Sequence, residues 1–104
     1  MNTESPRITG PVLKVLKILM NCPEVGISGA EIARSTKLAS GTLYPILFRL
    51  ENAGWLESRW EEVTPSVVKR PRKRLYHVTA LGERRTKDSF RELMPSAAEF
   101  LWQS

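Results

Sequence analysis

The sequence predicts a mainly helical domain with one small β-ribbon, and three observations carry that prediction. Apolar residues recur at helical spacing through residues 43–50, and a helix-capping box stands at residues 28–31. The period then falls from 3.6 to 2 in residues 55–62 and 75–79. Two short helices joined by a few residues and followed by a ribbon make a winged helix-turn-helix. The expected organisation is a flexible N-terminus over 1–9, a winged helix-turn-helix over 10–79 and a C-terminal dimerisation helix over 80–104.

Gly10-Pro11 reads as a helix start, because a proline in the first turn loses only an N–H that has no helical partner. Val12, Leu13, Val15, Leu16, Ile18, Leu19 and Met20 follow, and the polar Lys14, Lys17 and Asn21 share one narrow face. Such a helix needs cover on two sides, and a partner subunit is expected to supply one of them. Cys22-Pro23 ends it, since the residue before proline avoids the helical region.

In the capping box the Ser28 hydroxyl and the Glu31 carboxylate satisfy each other's backbone N–H, opening a short helix over about residues 29–36. A third helix starts near Ser40 or Thr42, with Leu43, Ile46, Leu47 and Leu50 as its apolar stripe. Pro45 is tolerated if it lies in the first turn, where its missing N–H costs little, and Gly54 suits the left-handed position that ends the helix. A two-stranded ribbon follows, its long tip spanning residues 63–74, with Trp55 and Trp60 covering core. Thr79 then caps a last helix, where Phe90, Met94, Ala97 and Leu101 recur at spacings of four, three and four. Pro95 interrupts that helix, and Trp102 near its end is a packing anchor or disordered.

At 104 residues the chain fits one domain, too short for large catalytic barrels. Sixteen Lys and Arg against eleven Asp and Glu give a net charge of +5, with an isoelectric point near 9.8. Residues 59–74 hold most of that excess: Arg59, Lys69, Arg70, Arg72, Lys73 and Arg74 against Glu61 and Glu62. A balance of this kind favours anionic partners. Cys22 and His77 each stand alone, so one chain offers neither a disulfide nor a Cys/His zinc site. They read as a small core thiol and a strand histidine rather than a catalytic dyad. No carboxylate pair, nucleophile–base pair or phosphate loop stands out, so no enzyme, metal or cofactor is expected. Residues 1–10 lack the apolar core of a signal peptide, and no run approaches the roughly 20 apolar residues of a membrane span. The expected compartment is the cytoplasm.

The third helix, burying its leucine stripe, offers Ser40, Gly41, Thr42, Tyr44 and Arg49 to bases and phosphates. Tyr44 reads equally well as half-buried core. The run Lys69, Arg70, Arg72, Lys73 and Arg74 supplies phosphate or minor-groove contacts from the ribbon tip. Val12, Leu16 and Leu19 on the first helix, with Phe90, Met94, Ala97 and Leu101 on the last, are the expected dimer interface, since neither the short middle helices nor a two-stranded ribbon is expected to cover both stripes. The rival function is a winged-helix protein-interaction module whose basic wing binds an acidic partner; RNA binding ranks third.

The segment SGTLYPILFRLENAGWL, residues 40–56, resembles the signature of PadR-family transcriptional regulators, with Gly41 to Pro45, Arg49 to Glu51 and Gly54 at the matching positions. The stretch RPRKRLY at 70–76, followed by VTALG at 78–82, is similar to the family's basic wing motif. The resemblance covers roughly residues 11–85, and the short segment 80–104 resembles the family's small subgroup. It implies a repressor that binds double-stranded DNA as a homodimer, the last helix of one subunit packing on the partner's first, with a small aromatic compound as the kind of effector the family often senses.

Overall fold

The computed structural model describes residues 6–22 and 24–93. Helix α1 runs Gly10–Met20, its first turn closed by the Thr9 hydroxyl, which accepts from the Val12 N–H. After residue 26 the chain forms a two-residue strand, β1 (Ile27–Ser28), and turns directly into α2 (Gly29–Thr36). The capping box forms as expected: the Glu31 N–H donates to Ser28 Oγ at 3.2 Å and the Ser28 N–H donates to Glu31 Oε1 at 3.1 Å. Lys37, with φ +62°, closes α2 in the left-handed region, and α3 (Ser40–Asn52) follows after two further residues.

Helix α3 buries Leu43, Ile46, Leu47 and Leu50. Its end is a Schellman turn: the Gly54 N–H reaches the Glu51 carbonyl, the Trp55 N–H reaches that of Leu50, and Gly54 takes φ +82°. Pro45 lies in the second turn rather than the first. Its ring removes the N–H that would have bonded the Gly41 carbonyl, and the helix continues because Gly41 and Pro45 are both exposed, leaving that carbonyl to water.

The ribbon is wider than its sequence signals. Strands β2 (Leu56–Trp60) and β3 (Arg74–Val78) pair antiparallel with Ser58 opposite Tyr76, and β1 adds to the other edge of β3, giving the order β1-β3-β2. Gly26 makes this third strand possible: at φ +91°, a Cβ there would stand 2.7 Å from the Tyr76 carbonyl oxygen. The tip between β2 and β3 is not all loop, since Pro65–Val68 form a single helical turn, α4.

Helix α5 (Ala80–Leu93) starts on Thr79, whose hydroxyl accepts from the Gly82 N–H at 3.0 Å and donates to the Gly54 carbonyl at 2.6 Å. Gly82 lets α5 press its backbone onto Trp55, where an added Cβ would collide with the carbonyl.

The core joins α1, α2, α3 and the start of β2: Val12, Val15, Leu16, Leu19, Ile32, Leu43, Ile46, Leu47, Leu50, Trp55 and Leu56. This corrects one expectation about the dimer. Val12, Leu16 and Leu19 are 3%, 1% and 1% exposed within a single chain, so they are not surface awaiting a partner. The physical reason is that α2, α3 and strand β3 of the same chain pack on α1 and supply the cover. Leu13, Ile18 and Met20 are the large apolar side chains that α1 leaves half-buried, with Leu13 and Met20 seven residues apart on one flank. Phe90 is also half-buried, on the side of α5 shared by Gly82 and Thr86. Met94, Pro95, Ala97, Leu101 and Trp102 lie outside the described residues.

Candidate nucleic-acid interface

With Leu43, Ile46, Leu47 and Leu50 turned inward, the helical period places Gly41, Pro45, Phe48 and Asn52 along the outward crest of α3, all exposed. Thr42 and Arg49, both exposed, form one shoulder of that crest. Ser40 and Tyr44 stand on the other. Tyr44 is at once packed and open to solvent. It is 45% exposed, yet its ring leans on the start of α2, where a Cβ on Gly29 would come 2.5 Å from the hydroxyl oxygen. The sequence reading missed Phe48, which is 65% exposed. Its signal was a large apolar residue between Leu47 and Arg49 that does not fit the buried stripe.

The wing is organised by a carboxylate. Glu61 takes a two-pronged ion pair from Arg70, Nη1–Oε1 at 2.7 Å and Nη2–Oε2 at 3.0 Å, and Oε1 also accepts from the Lys73 N–H at 3.1 Å. The Arg70 guanidinium is the main reason the Glu61 carboxyl is pulled down to about 2. Arg72 Nε donates to the Val63 carbonyl at 3.1 Å, bracing the tip. Arg74 donates from Nε to Ser58 Oγ at 3.0 Å, with its guanidinium 5.0 Å from the centre of the Trp60 ring. Ser58 in turn donates to Glu51 Oε2 at 2.6 Å, so the wing stem is hydrogen-bonded to α3. Tyr76 reports the same proximity: burial first, then the nearby Glu51 and Tyr44, raise its phenol pKa.

The sequence-predicted basic run therefore divides. Lys69 and Arg72 are exposed, and Lys69 occupies the left-handed position after α4 with φ +62°. Arg70, Lys73 and Arg74 are half-buried, and Arg70 and Arg74 spend their guanidinium donors on the wing itself. Spacing in the sequence signals cations but not which carboxylate or hydroxyl the register of β2 on β3 sets opposite them.

Among the described residues no three His, Cys, Asp or Glu side chains gather to hold a metal, and no helix is long and apolar enough to cross a membrane. A capped helix pair whose second member shows an open outer face, hydrogen-bonded to a basic three-stranded wing, defines a winged helix-turn-helix. Residues 15–88 match the Transcriptional regulator PadR-like family, and the chain belongs to it. That family is one of DNA-binding regulators rather than enzymes.

Solved structures carry the same fold. A PadR family transcriptional regulator from Eggerthella lenta is 26% identical, with 86% of this chain and 82% of that one covered at a TM-score of 0.58. A PadR family regulator from Clostridium difficile is 22% identical, covering 88% and 99% with a TM-score of 0.63. The PcaV transcriptional regulator from Streptomyces coelicolor, solved with its natural ligand, is 21% identical, covering 94% and 72% with a TM-score of 0.61. Among curated protein sequences none matches.

Proposed function

We propose that this PadR-family regulator is a sequence-specific repressor that binds a palindromic operator as a homodimer. The observation that carries the reading is the continuity of the exposed face of α3 with the wing through the Arg74–Ser58–Glu51 hydrogen bonds. In that arrangement α3 enters a major groove, with Thr42 and Tyr44 reading bases from its shoulders. Ser40, Gly41 and Arg49 lie against the strands, and Lys69, Arg70, Arg72, Lys73 and Arg74 make the wing the anchor on phosphates. The proposed dimer sets the face carrying Phe90, Met94, Ala97 and Leu101 against the partner's α1, which offers Leu13 and Met20. A twofold pair so formed spaces two recognition helices about 34 Å apart, one helical turn of DNA. A small aromatic effector at the dimer interface is the proposed release signal, and the cytoplasm the proposed site of action.

Selection of duplexes from a random pool by the full chain tests the reading. Enrichment of an inverted repeat is the expected outcome, with a log–log salt slope near −5 if a dimer neutralises about six phosphates. Failure to enrich any sequence would overturn it and favour a wing that binds an acidic protein.

A further inference from the structure

The outward crest of α3 has a composition that the fold does not explain. Gly41 lowers helix propensity relative to alanine, yet a Cβ there would meet nothing within 4 Å in the protein. Pro45 removes a hydrogen bond from the second turn. Phe48, one further turn along the same line, holds a large apolar ring 65% in solvent and joins no core cluster. Three positions in a row thus sacrifice helix stability or exposed apolar surface on the face the protein leaves open.

Ahead of Asn52 at the C-terminal end of the crest, these three positions are also chemically blank. Glycine has no side chain, and neither the proline ring nor phenylalanine can donate or accept a hydrogen bond. In the major groove one base-edge feature is apolar, the C5 methyl of thymine. Exposed Arg49 on the adjoining shoulder, with Lys69 and Arg72 on the wing, marks the ligand as an anion rather than another apolar protein surface.

Resting on the reading of α3 as the groove helix, we infer that Phe48 is a specificity-determining residue that packs on a thymine methyl. Gly41 is the point where the helix backbone comes closest to the DNA. Half-site discrimination at that base is then apolar: it depends on a methyl group and not on a hydrogen bond. The increment is insensitive to salt, unlike the wing's phosphate contacts.

The test uses the operator selected by the full chain, with each thymine replaced singly by deoxyuridine, which removes the methyl and leaves every hydrogen-bonding group in place. Affinity is read by fluorescence anisotropy at two salt concentrations. Wild type is expected to lose about fourfold for the methyl under Phe48, the scale of one buried methyl, equally at both salts. Phe48→Ala, which removes no core contact and is checked for an unchanged melting temperature, is expected to bind thymine and deoxyuridine alike at that position. Phe48→Leu should retain part of the difference. An enriched operator with no methyl-sensitive position, or the same penalty persisting in Phe48→Ala, overturns the assignment to Phe48 while leaving the proposed function standing. Absence of any enriched operator removes both.

Discussion

The helical body and the wing are held together by different forces. The body buries eleven apolar side chains, none more than 3% exposed. From residue 57 through residue 79 not one residue is fully buried. The wing keeps its shape through β2–β3 pairing, the Glu61–Arg70 pair, the Arg72 brace and the Arg74 stack on Trp60. Buried apolar side chains carry no charge to screen or titrate, whereas exposed charge-assisted bonds do. The helix proposed to read sequence therefore stands on buried apolar surface, and the wing proposed to hold phosphates stands on bonds that ionic conditions weaken.

The largest effects belong to the body. Leu47→Ala, deleting a core side chain of α3 that is 1% exposed, should destabilise by about 2–5 kcal/mol, with little difference between low and high sodium chloride, in urea titrations. Gly82→Ala drives a methyl into the Trp55 carbonyl and should detach the start of α5, seen as a lowered melting temperature. Next comes the seam between the regions. Thr79→Ala removes the α5 cap and the hydrogen bond to Gly54, at a cost of about 1 kcal/mol.

The wing gives the smallest change in global stability and the sharpest contrast. The Glu61 carboxyl lies at about 2 in the folded wing, below its ordinary 4.5. Its contribution is therefore full above about 4.5 and is lost as pH falls toward about 2. Exchange protection of the Lys73 amide, which donates to Glu61, should fall across that window while Leu47 stays protected. Glu61→Gln should reproduce the loss at neutral pH. It also frees Arg70, so non-specific DNA affinity should rise and its salt slope steepen. Equal protection of Lys73 in wild type and Glu61→Gln would show that strand pairing alone sets the wing.

Much of the body was legible in the sequence because its signals are local. The capping box, the Leu43–Ile46–Leu47–Leu50 stripe and Gly54 each need only a few neighbouring residues. What was not legible depends on contacts distant in sequence. The two residues of β1 carry no period of their own and become a strand only because Gly26 lets them reach Tyr76. The Val12, Leu16 and Leu19 stripe was clear as a pattern, but the pattern does not say whether the chain or a partner covers it. In the candidate site, the exposure of Ser40, Thr42 and Arg49 followed from helical geometry. The internal engagement of Arg70 with Glu61 depended on strand register, which the basic run does not encode.

The central claim, that the crest of α3 serves DNA and not the fold, is tested most directly by Gly41→Ala. The added methyl meets no protein atom within 4 Å and improves helix propensity. Wild type and variant should be melted and then titrated with operator and scrambled duplexes. The account predicts an unchanged or raised melting temperature, a collapsed ratio of operator to scrambled affinity, and an unchanged salt slope from the intact wing. A variant that melts as wild type and keeps its full operator preference would contradict it.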